Sequence, residues 1–286
     1  MTAPARAAGR GRREAVNPLV ERAEASGIPV VRPESARDAD FQEAFAAWRP
    51  QLGVVVAYGQ ILDDSLLAIP EHGCVNVHGS LLPRWRGASP VQAALLAGDT
   101  RTGVSLQRVV RELDAGAVLA EREVDIGERE EAPALTARLA QEGADLLADF
   151  LREVGDGPLP AGVEQDPAQV THCRRVRKEE GHLDWGQPAD EVDRRVRAMA
   201  GWPVARTRLA EEGLLRIHCG RPDGAATRAG EPGTVLSADA DGIRVLCGAG
   251  SIYRIEEVQR EGRARMAAAD FLRGLSLVPG TLLLPV

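Results

Sequence analysis

The spacing of apolar residues predicts two differently built parts of the chain. A continuous apolar run at 52–59, bounded by glycine, is typical of a buried strand in a parallel sheet. The runs at 74–80 and 102–110 predict further strands, and a shorter run at 28–33 predicts another. Helical spacing alternates with these runs and is clearest at 128–154. Strands that alternate with helices predict an α/β domain with a largely parallel sheet.

The pattern changes after residue 156. Glycine and proline are frequent at 157–176, which indicates a linker. One helical segment at 188–200 is then followed by short β-like runs separated by turn residues, which favours a small β-barrel or sandwich. We therefore expect a first domain at 1–156 and a C-terminal β domain at 177–286.

Charge also differs between the two parts. Residues 1–170 contain 17 Lys and Arg against 26 Asp and Glu, whereas residues 171–286 contain 18 against 16. An acidic front and a mildly basic back support two modules. The basic excess permits a local patch for an anionic partner but does not by itself establish a nucleic-acid partner.

Composition excludes several classes of protein. The four cysteines are scattered without metal-ligand spacing, so neither a disulfide framework nor a structural zinc site is expected. No apolar run approaches 18 residues, and the basic N-terminus has no apolar core of a secretory signal. We expect a cytoplasmic protein without a metal site.

The strand predicted at 74–80 ends in residues suited to chemistry. Asn76 and His78 are two apart, so they face the same side of a strand. In a parallel α/β sheet, sites lie beyond the carboxyl ends of strands. An amide and an imidazole there can donate hydrogen bonds to one developing oxyanion, and His78 can also carry a proton near neutral pH. The competing interpretation is a strand-end histidine capped by backbone. The unusual proline- and arginine-containing loop after it favours the catalytic one.

Asp114 lies in a turn between two predicted strands, with Gly116 shortly after it to give the backbone freedom. If this turn lies beside the end of the Asn76–His78 strand, Asp114 could hold His78 as imidazolium. An aspartate that only forms the turn explains the spacing equally simply. The sequence does not fix the distance between Asp114 and His78.

The same motifs resemble a known family. Residues 76–99 read NVHGSLLPRWRGASPVQAALLAGD and are followed by TGVSL and then LDAG. This order resembles the 10-formyltetrahydrofolate-dependent formyltransferase family. The similarity continues through RKEEGHLDW and PGTVL in the back half, which suit the members that formylate initiator methionyl-tRNA. It implies a Rossmann-like formyltransferase domain followed by a small OB-like β-barrel that helps to hold tRNA.

The resemblance also implies roles for individual residues. The methionyl α-amino group would attack the formyl carbon of 10-formyltetrahydrofolate, while Asn76 and protonated His78 stabilise the oxyanion. Asp114 would keep His78 charged and assist proton transfer. The stretch that lines the folate site matches Ser80, Leu81, Leu82 and Pro83. A basic loop that approaches the tRNA acceptor end matches Arg10, Arg12 and Arg13. No metal is implied, and a monomer is expected.

The resemblance begins part-way into the family pattern. Family members start with a strand, a helix and a second strand, roughly 30 residues in all, and the similarity in this chain starts after them. We therefore expect exposed sheet edges and a poorly folded or weakly active 286-residue chain. Two alternative functions stay open: formylation of an amino sugar or another small amine, and an inactive protein that binds tRNA or folate.

Overall fold

The structure is a computed structural model that describes residues 1–2, 4, 7–8, 13–14, 17–209, 213–227 and 230–286. The chain forms two compact units, each assembled from several stretches. The first unit contains Met1–His78, Val104–Arg122 and Gly143–Val170. The second contains Gly79–Gly103, Glu123–Glu142 and Thr171–Val286.

Seven α-helices lie in the described part of the chain. They are α1 (Pro18–Ala25), α2 (Ala39–Ala47), α3 (Asp64–Leu67), α4 (Pro90–Ala97), α5 (Ala132–Val154), α6 (Ala189–Ala198) and α7 (Ala268–Gly274). Asn17 and Asp38 cap the first two, because each side chain accepts a hydrogen bond from a backbone N–H of the first turn. None of the described helices combines the length and the apolar character that crossing a membrane requires.

The strands are numbered in chain order. They are β1 (Ala7–Ala8), β2 (Arg13–Glu14), β3 (Gly53–Val56), β4 (Cys74–His78), β5 (Arg86–Gly87), β6 (Arg101–Arg108), β7 (Val118–Asp125), β8 (His172–Cys173), β9 (Ala205–Leu209), β10 (Gly213–Ala225), β11 (Val235–Asp239), β12 (Gly242–Leu246), β13 (Ser251–Arg260), β14 (Met266–Ala267) and β15 (Leu283–Leu284).

Four strands form a mixed sheet in the order β3-β4-β6-β7. β3 runs parallel to β4, whereas β6 runs antiparallel to β4. The expectation of a largely parallel sheet is therefore wrong for the β4–β6 pair. The chain between these strands, which includes α4, returns antiparallel to β4 instead of making a parallel crossover.

β3 lies at the edge of this sheet. It was predicted as a fully buried strand, but Val54 is 43% exposed and Val56 is 59% exposed. No other described strand pairs with the free side of β3. The strand predicted at 28–33 is absent, because Pro29 and Pro33 have no N–H to donate and no described strand lies beside them. Among the described residues, the Val31 carbonyl accepts a hydrogen bond from the Thr2 N–H at 3.0 Å.

One face of β4 and β6 packs against α5. Val75 and Leu106 on this face are completely buried. Gly143 of α5 lies over Val77, so close that a Cβ there would be 2.8 Å from a Val77 methyl carbon. Glycine is thus required for close packing, because even one added carbon would push the helix from the sheet.

The second unit contains a curled antiparallel sheet. Its order is β11-β12-β13-β10-β9-β15, with β14 attached to β13. Hydrogen bonds join the two ends of this path, from Val235 N–H to Thr281 O at 2.8 Å and from Leu283 N–H to Gly233 O at 2.8 Å. The expectation of a small OB-like β-barrel in the back half is confirmed.

Aromatic residues lie in the barrel core, among them Trp185 and Tyr253. Trp185 and Tyr253 are both buried within an aliphatic cluster. The Trp185 indole N–H donates to the Thr207 hydroxyl at 3.0 Å, and that hydroxyl donates to Leu284 O at 2.8 Å. The polar end of the indole is therefore satisfied inside an apolar core.

We predict that Gly143→Val lowers the free energy of unfolding by about 1–3 kcal/mol, because the added carbons overlap Val77. Urea denaturation followed by circular dichroism measures this change. The matched control is Ala144→Val on the exposed face of the same helix, which loses only about 0.5 kcal/mol of helix propensity. Equal losses in the two variants would contradict the close approach of α5 to β4.

Candidate active site

The register of β4 against β6 places four polar side chains on one face of the sheet. Asn76 lies opposite Gln107, and His78 lies opposite Ser105. Because side chains alternate along a strand, all four point away from the face that packs on α5. His78, Ser105 and Gln107 are buried, and Asn76 is half-buried. This is an unusual density of hydrogen-bonding groups for the centre of a sheet.

Asp114 lies next to His78. The Asp114 Oδ2 is 3.6 Å from the His78 Nδ1, and these side chains are only 11% and 7% exposed. The sequence left open whether Asp114 only forms a turn, and the structure brings it to the histidine. At this distance and degree of burial, water screens the interaction between the carboxylate and the imidazole only weakly.

Two glutamines that the sequence analysis did not single out hold the Asp114 loop. The Gln107 Nε2 donates to Asp114 Oδ1 at 3.0 Å. The Gln165 Nε2 donates to the backbone carbonyls of Asp114 at 2.9 Å and Gly116 at 2.8 Å. Ser105, also not singled out, donates to Glu121 Oε1 at 2.7 Å. The available signal was the pair of polar residues two positions apart, Ser105 and Gln107, in the strand predicted at 102–110.

Asp114 has a strained backbone conformation. Its φ is +51°, in the left-handed region that a non-glycine residue enters at a cost of about 1–2 kcal/mol. Such conformations persist where the surrounding contacts fix them. The hydrogen bonds from Gln165 to this loop are contacts of that kind.

Gly116 has a different role from the one predicted. Its φ is not in the left-handed region, so backbone freedom does not explain the glycine. A Cβ at this position would overlap the carbonyl oxygen of Arg108 in β6. Glycine is needed because the Asp114 loop lies directly against the end of β6.

The predicted folate segment follows His78 in the chain. Ser80 and Leu82 are buried, while Leu81 and Pro83 are half-exposed. The Ser80 hydroxyl donates to Arg84 O at 2.6 Å, so it fixes the turn that displays Leu81 and Pro83.

A clamp around Asp99 holds the rest of this loop. Arg84 donates to both Asp99 carboxylate oxygens, at 3.1 and 2.6 Å, and the Trp85 indole N–H donates at 2.8 Å. The Arg84 guanidinium also stacks 4.4 Å from the Trp85 ring centre. A Cβ on Gly87 would overlap the Cys173 carbonyl oxygen, which explains the glycine.

The side chains predicted to approach tRNA lie outside what the structure describes. Arg10 and Arg12 are outside the described residues, and so is the side chain of Arg13. The described backbone of β1 and β2 pairs Ala7 with Glu14 and Ala8 with Arg13.

Neither a thiol nucleophile nor a metal cluster accompanies the described site residues. Burial raises the pKa of the Cys74 thiol, at the start of β4, to about 11, so this thiol stays protonated at neutral pH. Among the described residues, no three His, Cys, Asp or Glu side chains are grouped to hold a metal ion.

Comparison with known families agrees with this arrangement. The profile of the formyl transferase family matches residues 1–151, and that of the formyl transferase C-terminal domain matches residues 175–276. The chain belongs to the formyl transferase family. The family resemblance stated from the sequence, and the α/β-plus-barrel fold class, are confirmed.

Its relatives include proteins named methionyl-tRNA formyltransferase. That of Stenotrophomonas maltophilia (strain K279a) is 46% identical over 271 residues, which cover 95% of this chain and 87% of the relative. That of Methylococcus capsulatus is 44% identical over 276 residues, 96% of this chain and 88% of the relative. That of Myxococcus xanthus is 42% identical over 281 residues, 98% of this chain and 88% of the relative.

Solved structures share the fold at low identity. WlaRD, a sugar 3N-formyl transferase, has a TM-score of 0.64 at 13% identity and covers 86% of this chain and 82% of its own. HypX from Aquifex aeolicus, in complex with tetrahydrofolic acid, has a TM-score of 0.60 at 18% identity and covers 81% of this chain and 40% of its own. At these identities the likeness shows the fold alone.

We predict that Gly116→Ala displaces the Asp114 loop and lowers the free energy of unfolding by about 1–3 kcal/mol, since the new methyl group meets a backbone oxygen. Faster amide hydrogen exchange at 112–118 is the measurement. The control is Gly127→Ala, where the added carbon meets Glu130 Cβ at 3.4 Å, an ordinary contact. Unchanged exchange in Gly116→Ala would contradict the close approach to β6.

Proposed function

We propose that this enzyme transfers the formyl group of 10-formyltetrahydrofolate to the α-amino group of initiator methionyl-tRNA. The observation that carries the proposal is the position of Asp114 beside His78, on the sheet face that also presents Asn76. The relatives named methionyl-tRNA formyltransferase, at 42–46% identity over 95–98% of this chain, support the substrate. The reaction would prepare the initiator tRNA for translation initiation.

The donor set fits a formyl group. A formyl transfer needs hydrogen-bond donors for one oxygen and an acceptor for the proton of the amine, and the site offers an amide, an imidazole and a carboxylate. The folate supplies the formyl group when bound. The segment Ser80–Pro83 would hold it, with half-exposed Leu81 and Pro83 as its apolar contacts and Ser80 fixing the turn.

The protein residues then have distinct roles. Asn76 and protonated His78 donate to the oxygen on which negative charge develops when the amine attacks. Removing one such donor from an enzyme typically costs ~10²–10³ in rate. Asp114 would stabilise the imidazolium and accept the proton of the attacking amine, directly or through a water molecule. That proton would pass to N10 of the folate as the bond between N10 and the formyl carbon breaks, so that tetrahydrofolate leaves.

The tRNA would be held mainly outside this site. We propose that the barrel of the second unit binds it, because the mildly basic back half suits a polyanion. Three arginines of the N-terminal basic segment would also bind it: Arg10, Arg12 and Arg13. An enzyme that acts on aminoacyl-tRNA works where translation takes place, so we propose that this protein is cytoplasmic. We also propose that it acts as a monomer.

The test is formylation of initiator methionyl-tRNA by purified protein with 10-formyltetrahydrofolate. We expect His78→Ala and Asp114→Asn each to lower kcat/KM by at least ~100-fold, because each removes a group that handles charge or a proton. The control is His172→Ala, a histidine with an exposed position in β8. Near-normal rates in the first two variants would contradict the roles proposed for these groups.

A parallel assay with an amino-sugar nucleotide tests the substrate. The sugar formyltransferases among the structural neighbours share only the fold with this chain. We expect no transfer to the amino sugar. Transfer to the amino sugar without transfer to methionyl-tRNA would overturn the proposed function.

A further inference from the structure

We infer that Gln107 is a positioning residue for formyl transfer: its amide orients the Asp114 carboxylate toward His78, while Gln165 braces the loop. Both glutamines lie in the same unit as Asp114 and His78. This assignment rests on the proposed function for its meaning in catalysis, but its geometry can be tested without catalysis.

Gln107 is almost completely buried. Only 2% of this residue is exposed, near the C-terminal end of β6. Burying an amide is unfavourable unless its hydrogen-bonding groups find partners. The Gln107 Nε2 donates a hydrogen bond to Asp114 Oδ1 at 3.0 Å. This bond compensates for burying the amide in the sheet.

The two carboxylate oxygens of Asp114 lie near different side chains. Gln107 binds Oδ1, and Oδ2 is the oxygen 3.6 Å from His78 Nδ1. A carboxylate is planar and rotates about one bond, so fixing one oxygen also fixes the direction of the other. The amide thereby holds Oδ2 toward the imidazole before substrate binds, which is the kind of preorganisation that catalysis by fixed dipoles requires.

The donor to the Asp114 carboxylate is an uncharged amide. An arginine or lysine in place of Gln107 would also orient Asp114, but it would neutralise the carboxylate and compete with His78 for it. A neutral amide directs the carboxylate and leaves its charge to act on the imidazolium. Gln107 of β6 therefore orients the Asp114 carboxylate without weakening its electrostatic interaction with His78.

Hydrogen bonds from Gln165 hold the backbone of the Asp114 loop. Gln165 comes 51 positions after Asp114 and donates to the carbonyls on both sides of Ala115, at 2.9 and 2.8 Å. These two bonds fix the left-handed conformation of Asp114, from which its side chain reaches both Gln107 and His78. The Gln165 Nε2 is also 3.4 Å from Gln107 Oε1, so the two amides form one network.

Gln107→Met removes the donor and keeps the volume. We expect kcat to fall about tenfold, the loss of one hydrogen bond to a charged group. KM for both substrates should stay close to that of the wild type. A lower melting temperature with unchanged kcat would show that Gln107 only supports the fold and would overturn the inference.

Gln107→Glu separates hydrogen-bond donation from packing. The introduced carboxyl has nearly the shape of the amide, and its pKa is raised by the neighbouring Asp114 carboxylate. When protonated, it donates to Asp114 Oδ1; when ionised, it repels it. The kcat of this variant, relative to Gln107→Met, should therefore increase several-fold as pH falls from 8 to 5.5. A constant ratio would contradict the inference.

The chain offers a matched control. The Gln169 Nε2 donates to Asp166 Oδ2 at 2.9 Å, an amide–carboxylate bond of the same type on an exposed turn. We expect Gln169→Met to leave kcat and its pH profile unchanged. A tenfold loss of kcat in this control would show that the effect is not specific to Gln107.

A measurement on the free protein distinguishes this inference from the proposed function. With 15N-labelled histidine, the ring nitrogen resonances of His78 report the nearby carboxylate. Gln107→Met should shift them in the same direction as Asp114→Asn, and Gln169→Met should not. An unchanged His78 resonance in Gln107→Met would overturn the positioning role. An inactive wild type with the expected shifts would instead reject the proposed reaction.

Discussion

The antiparallel register of β4 and β6 is the constraint on which the candidate site depends. It places Asn76 opposite Gln107 and His78 opposite Ser105. A slip of one residue would move one strand's polar side chains to the face that packs on α5. The polar cluster would then be divided between the two faces of the sheet. The site is therefore specified by the same pairing that builds the core.

The apolar face of the two strands stabilises this register. Val75 and Leu106 are completely buried there, and Gly143 lets α5 approach Val77 closely. Hydrophobic burial on one face thus fixes the positions of polar groups on the other. The Asp114 turn has a strained backbone conformation, and hydrogen bonds from two glutamines hold it.

Some of this could be predicted from the sequence and some could not. The two-residue spacing of Asn76 and His78 was sufficient to place them on one face, since side chains alternate along a strand. The partner strand's register was not predictable, so the position of Gln107 opposite Asn76 was missed. Gln165 was missed for a different reason: it lies in a segment read as a linker, 51 positions from the loop that it binds. Apolar spacing also overestimated the strand content at 28–33, because a strand needs a neighbour as well as a suitable pattern.

The central claim is that Gln107 contributes to the reaction only through Asp114. A double-mutant cycle on kcat/KM with Gln107→Met, Asp114→Asn and the combined variant measures this most directly. We expect strong non-additivity: once Asp114 is replaced, Gln107→Met should cause no further loss of kcat/KM. Losses that simply add would contradict it, because Gln107 would then act independently of the carboxylate that it binds in the structure.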